Sequence, residues 1–201
     1  MKKLITLCAA VLVLCAYTAS VSAAGLSHTV VKGDTMWKLA VKYRIGTQEI
    51  IDANPQISDP NLIYPGQVLH IPQIDSTVSS FEREVVRLVN EERAKHGLKP
   101  LTEHWELSRV ARYKSQDMVD NRYFSHTSPT YGTPFQMIRA FGLTYRTAGE
   151  NIAYGQRTPQ AVVTAWMNSS GHRANILNPS YTRIGVGYVA NGNYWTQMFI
   201  G

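Results

Sequence analysis

Among the six histidines of this 201-residue chain, His126 and His172 stand close to serines in polar segments. Ser125 precedes His126, and Ser169 and Ser170 lie just ahead of His172. A serine hydroxyl activated by an imidazole is an acyl-transfer nucleophile. Adjacency alone does not make one: no GxSxG elbow occurs, and no aspartate follows in a segment suited to complete a triad. Histidine with carboxylate would also serve metal-assisted hydrolysis. HExxH is absent, however, and the intervals of 24 and 22 residues that separate His126, Glu150 and His172 fit no local metal motif. Thiol catalysis turns on Cys8 and Cys15, which both lie in an N-terminal apolar run.

That run has the order of a secretory leader. Lys2 and Lys3 precede the apolar stretch from Leu4 to about Tyr17, and small residues follow through Ala24. Val21-Ser22-Ala23 places cleavage after Ala23, so 1–23 is the expected signal peptide; Ala24 fits nearly as well. An uncleaved anchor is the alternative that the length of the run allows. Cleavage would export a chain with no cysteine, hence no disulfide and no thiol nucleophile. No later segment is apolar enough to span a membrane.

With 44% hydrophobic and 17% charged residues, the composition excludes disorder, collagen and coiled coil. The formal charge of +6 falls to +4 once Lys2 and Lys3 leave with the leader, and the remaining excess resides almost wholly in 80–201, which makes anionic wall polymers plausible partners. No dense Lys/Arg cluster points to nucleic acid.

The elements divide into two groups. In the first, His28 to Lys32 predicts a strand, and Gly33-Asp34-Thr35 a turn whose Asp34 or Thr35 caps a helix. Met36, Leu39, Ala40 and Tyr43 recur at helical spacing. A second helix begins at Thr47 and ends at Asn54-Pro55, and Tyr64-Pro65-Gly66-Gln67 turns into a strand from Val68 to Ile71. Trp37 reads as core or shallow surface, and His28 and His70 as exposed strand residues. Residues 74–79 read as a linker.

In the second group, 80–201, helices are expected from Ser80 to about His96, from Glu103 to Asn121, from Thr133 to Phe141 and from Pro159 to Asn168. Two strands, Ile184–Ala190 and Tyr194–Ile200, flank an Asn191-Gly192 hairpin signal. His96 falls at a helix end and His104 beside Trp105. Gly185 and Gly187 read as close-packing strand positions, and Trp166 and Trp195 as core or cleft wall. The fold class is α+β.

The GDT turn, the ANP helix end and the YPGQ close resemble a LysM domain over 27–73. That resemblance implies a βααβ module that binds peptidoglycan or a related N-acetylglucosamine polymer. Its matching loops hold Gly33, Asp34, Thr35 and Met36, then Gln56, Ile57, Leu62 and Ile63.

The segments YFSHTSP, GENIA, W..S.GHRANIL, IGVGY and YWTQ resemble the CAP (SCP-like) superfamily over 80–201, in its bacterial wording. The resemblance implies an α-β-α sandwich with a cleft lined by two histidines and two acids. His126, Glu150 and His172 match three of them, and Ser169 stands where the second acid is expected. The reduced set implies Zn²⁺ or another divalent ion on His126 and His172, with Glu150 as ligand, base or orienting group. The alternative is that the three hydrogen-bond with one another around a buried polar cleft. No catalytic residue is assigned.

Three functions follow from the two resemblances. The first is a secreted cell-wall or spore-envelope protein bound to peptidoglycan. The second is a metal-dependent hydrolase of peptide or wall material, and the third a carrier of lipid or a small molecule.

Overall fold

The computed structural model describes residues 25–201. The expected leader and cleavage position and both cysteines lie outside the described residues.

The first module is strand, helix, helix, strand. Strand β1 (Leu26–Thr29) pairs antiparallel with β2 (Val68–Ile71), with His28 opposite Leu69. Helix α1 spans Met36–Tyr43 and α2 spans Thr47–Asp52. Thr35 caps α1 by accepting from the Lys38 amide. Leu39, Ala40, Ile45, Ile50, Leu69 and Ile71 form the buried core. Asn54, buried at the end of α2, is the staple: its amide donates to the Ile50 and His70 carbonyls, both at 2.7 Å, and its Oδ1 accepts from the His70 amide.

Strand β1 lies earlier than the expected His28–Lys32, because Val30 to Gly66 already form the turn-side contacts with the second strand's approach. His28 is buried rather than exposed. Its ring bridges Tyr43 Oη at 2.9 Å and Asp34 Oδ2 at 2.8 Å. Trp37 is 66% exposed and lines an open groove shared with Trp105 and Phe141 of the second module.

The tether between modules is shorter than expected. Helix α3 runs Ser76–Lys95, capped by Asp75, which accepts from the Thr77 and Val78 amides. The capping side chain moves the helix start ahead of Ser80 and takes up most of the expected linker.

The second module is a four-stranded sheet between helical layers, in the order β3-β5-β6-β4. Strand β3 (Thr102–Glu103) is parallel to β5 (Arg183–Val189). Strands β4 (Ala148–Tyr154) and β5 both run antiparallel to β6 (Tyr194–Ile200). Helices α3, α6 (Pro159–Met167) and α7 (Ser170–Ile176) cover one face, where Val85, Val163, Trp166, Ile184, Trp195 and Phe199 form the core. Helices α4 (Trp105–Asp120) and α5 (Pro134–Ala140) cover the other with Leu107, Ala111, Met137, Ile138 and Met198. Strands β3 and β4 and helix α7 have no counterpart in the sequence expectation, and α4 begins after β3 rather than at Glu103.

Glycines explain how closely α4 lies on the sheet. A Cβ at Gly185 would stand 2.3 Å from the Leu107 carbonyl carbon, and one at Gly187 only 2.1 Å from the Arg112 amide nitrogen. Beyond short β3, the free edge of β5 is satisfied by side chains. Val186 N–H donates to Ser108 Oγ, Tyr188 N–H to Glu82, and the Gly187 carbonyl accepts from Ser115. Buried Glu82 also takes a bidentate pair from Arg112, which joins α3 to α4. Burial pushes its carboxyl up, and Arg112 opposes that push.

The two modules meet at Arg109. Its guanidinium forms a forked pair with Glu49 of α2, one arm at 2.9 Å, while lying over the Tyr113 and Phe141 rings. Gly46 leaves room for the fork: a Cβ there would fall 2.2 Å from Arg109 Nε.

Candidate functional site

His126 lies in the segment that follows α4, a stretch with no regular structure of its own to hold it. Two buried charges on α4 fix it instead. Lys114 Nζ donates to Tyr123 Oη at 2.9 Å and to the Ser125 and His126 carbonyls at 2.8 and 3.0 Å. Asp117 accepts from Ser128 and Thr130, each at 2.7 Å, from Asn121 at 2.8 Å, and from the Tyr123 hydroxyl. Burial pushes Asp117 up, but these donors together outweigh it and hold the carboxyl below its usual value. Burial pushes Lys114 down, and the carboxylates of Glu150 and Asp117 oppose that.

Glu150 projects from β4, with a side chain 1% exposed. Its Oε1 pairs with His126 Nδ1 at 2.7 Å, and Oε2 has no partner. Burial raises the Glu150 carboxyl, against the pull of His126 and then Lys114. The ring of His126 is half exposed, so the dyad presents Nε2 outward, with Nδ1 fixed by the carboxylate.

His172 comes from the first turn of α7. Burial, then the charge of His126, press its ring below the ordinary value of 6.5. It makes no hydrogen bond to His126 or Glu150, so the structure brings the first histidine and the acid into contact and leaves the second histidine nearby. Ser169 caps α7 without a side-chain bond and shares a cleft of about 260 Å³ with His172, Ile152, Gln156 and Trp166. No serine hydroxyl reaches a histidine ring among the described residues: Ser125 Oγ accepts from the Thr127 amide.

The backbone of the GEN segment is clamped from α7. Asn175 donates to the Glu150 carbonyl at 3.1 Å and to Asn151 Oδ1 at 2.9 Å, and Asn151 donates to Gln197 Oε1 and to the His172 carbonyl. Gly149 is needed here, because a Cβ would sit 2.4 Å from Tyr181 Oη. Sequence reasoning missed Lys114, Asp117, Asn175 and Gln197 as site residues. One signal was available: Lys114 falls in the apolar register of Leu107, Ala111 and Met118, where a charge needs a reason.

A divalent ion needs converging donors. Among the described residues no group of three His, Cys, Asp or Glu is placed to hold one. Nδ1 of His126 is already committed to Glu150, and Ser169 supplies no carboxylate. The carboxylate on Nδ1 leaves Nε2 as the open donor of the His126 ring, the arrangement of a carboxylate that orients a histidine.

In the first module, Met36 is core rather than a sugar contact, and Ile57 and Ile63 pack on the same cluster. That packing anchors both candidate loops on one core. Asp34 is engaged by His28 and by the Val31 amide, and the latter bond contributes most to holding its carboxyl low. Gly33, Thr35, Gln56 and Leu62 remain exposed, Leu62 at 53%.

Comparison with known proteins agrees with this division. The LysM domain profile matches residues 28–72, and the cysteine-rich secretory protein family (CAP) profile matches 86–199. The YkwD protein of Bacillus subtilis (strain 168) is 64% identical over 126 residues, 63% of this chain and 49% of that protein. The spore coat assembly protein ExsA of Bacillus cereus is 44% identical over 45 residues, 22% of this chain and 7% of that one. An extracellular SCP-domain protein from Bacillus anthracis str. Ames superposes with a TM-score of 0.60 at 34% identity, covering 68% of this chain and 47% of that one. The chain thus spans about half the length of the relatives that share its second module.

Proposed function

The chain belongs to the cysteine-rich secretory protein (CAP) family, with a LysM domain ahead of the CAP domain, and on that premise we propose that it is an exported protein held on peptidoglycan by the first module, with the CAP cleft turned to the wall. One observation carries the reading. The segments of Gly33–Thr35 and Gln56–Leu62 are anchored on one hydrophobic core through Met36, Ile57 and Ile63, while Gly33, Thr35, Gln56 and Leu62 stay exposed. Such a surface offers backbone donors and acceptors beside Leu62, which suits a neutral glycan. Among the described residues no helix is long and apolar enough to cross a membrane.

Co-sedimentation with purified peptidoglycan tests the anchor. The protein pellets with the polymer, and the double variant Gln56→Glu/Leu62→Asp loses most of that retention. Full retention by the variant overturns the reading.

The His126–Glu150 dyad favours a second reading, general acid–base hydrolysis of wall material. A carboxylate that fixes one ring nitrogen leaves the other aimed outward to take or give a proton. Wall fragments incubated with the protein and with His126→Ala decide it: equal release by both, or release by neither, removes the reading.

A further inference from the structure

The CAP module carries a cluster of aromatic rings that its own core does not use. Phe124 is 45% exposed and Tyr154 is 56% exposed. Tyr154 lies opposite Tyr194 across β4 and β6, with ring centroids 5.8 Å apart and planes 24° from parallel. Phe124 meets Tyr154 edge-on at 4.7 Å and Tyr194 at 6.5 Å. Open aromatic surface of this kind marks a contact site. On one side of the rings lies the cleft of His172, Ser169 and Gln156; on the other lies a broader one of about 520 Å³ with Arg122 and Asn191. No carboxylate lines either cleft. The amide oxygen of Gln156 is buried there without a partner.

We infer that this platform is a second glycan subsite, which takes an N-acetylhexosamine of the same polymer that the first module reads. Three features select a sugar over an aliphatic ligand. The rings present flat faces for sugar C–H groups, two of them carry hydroxyls, and the amides of Gln156 and Asn191, Ser169 and the imidazole of His172 supply polar groups beside the aliphatic wall of Ile152 and Ala165. The orphan Gln156 oxygen suits an N-acetyl N–H once its amide turns toward the cleft. Lining by Arg122 with no acid also tolerates the lactyl or peptide carboxylates of a wall strand. The inference rests on the proposed glycan ligand of the chain, and places the CAP cleft on it as a reader in its own right.

The test is an amide chemical-shift titration of the intact chain with chitohexaose, comparing the parent with Tyr154→Ala and Tyr154→Trp. Shifts are expected at 33–35 and 56–62 and, separately, at Phe124, Tyr154, Gln156 and Tyr194. Tyr154→Ala weakens the second set by about fivefold or more and leaves the first set unchanged; Tyr154→Trp keeps both. Shifts confined to the first set overturn the subsite and leave the anchor standing. Shifts confined to the second set overturn the anchor instead. A platform that responds to palmitate but not to chitohexaose overturns the subsite. A dispersed spectrum of Tyr154→Ala distinguishes lost binding from lost folding.

Discussion

Glu150 grips His126 with one carboxylate oxygen and buries the other with no partner at all. The grip orients the imbalance: a half-exposed imidazole is held by a side chain that burial disfavours in its charged form.

The Glu150 carboxyl is raised above 4.5 by burial, so folding favours its protonated form. The stability it contributes is full below pH 4.5 and is lost as pH rises through the shifted value. Glu150→Gln imitates the protonated state. In EDTA at pH 7 it should unfold at a higher urea midpoint than the parent, by about 1 kcal/mol, with the gap closing by pH 4. A parent more stable than the variant at pH 7 would contradict this.

His172 is shifted the other way. Burial and His126 lower its ring below 6.5, so the neutral form is favoured; its contribution is present above 6.5 and lost as pH falls through the shifted value. Proton NMR of the ring should give a midpoint below 6.5, and His126→Ala should move it upward. A midpoint at or above 6.5 in the parent sinks the argument.

Lys114→Met keeps the stem of the side chain and removes its three donors. The Ser125 and His126 carbonyls then lose their partner, at a cost of about 1–3 kcal/mol. Amide exchange should accelerate over 123–128 more than in the sheet. Unchanged protection of that segment would show that Lys114 does not hold it.

Gly187→Ala inserts a methyl group where the backbone of α4 stands 2.1 Å away. Helix and strand must separate, so a loss of about 1–3 kcal/mol or more is expected from thermal unfolding. Gly171→Ala, whose added carbon would meet nothing, is the control and should leave the midpoint in place.

Motifs made the two modules legible, because LysM and CAP segments keep their wording at turns and helix starts. The Asn191-Gly192 signal gave the hairpin correctly, with positive φ at Gly192 and Asn193. Strand β4 escaped because its GEN polar residues break the apolar alternation that marks a strand; they are buried in hydrogen bonds that the folded α7, Gln197 of β6 and His126 supply. Helix α7 escaped because Ser170-Gly171-His172 reads as a loop, and packing on β4 overrides that propensity. His28 looked exposed for a related reason. Tyr43 and Asp34, distant in sequence, provide the partners that make its burial tolerable. The dyad itself was half legible: the residues were named by resemblance, while contact between the first pair and the separation of His172 depend on where α4 and α7 pack.

The Arg109–Glu49 fork, with only Pro72 to Asp75 between β2 and α3, ties the proposed ligand surface of one module to that of the other. A protein seated on a strand by its first module would therefore not search a volume for its second contact. It would sample a thin shell at one stand-off from the polymer, at an effective concentration on the order of millimolar for so short a tether. Two weak contacts in fixed register would then act as a gauge of strand spacing, so that wall of the wrong mesh would be held by one contact only.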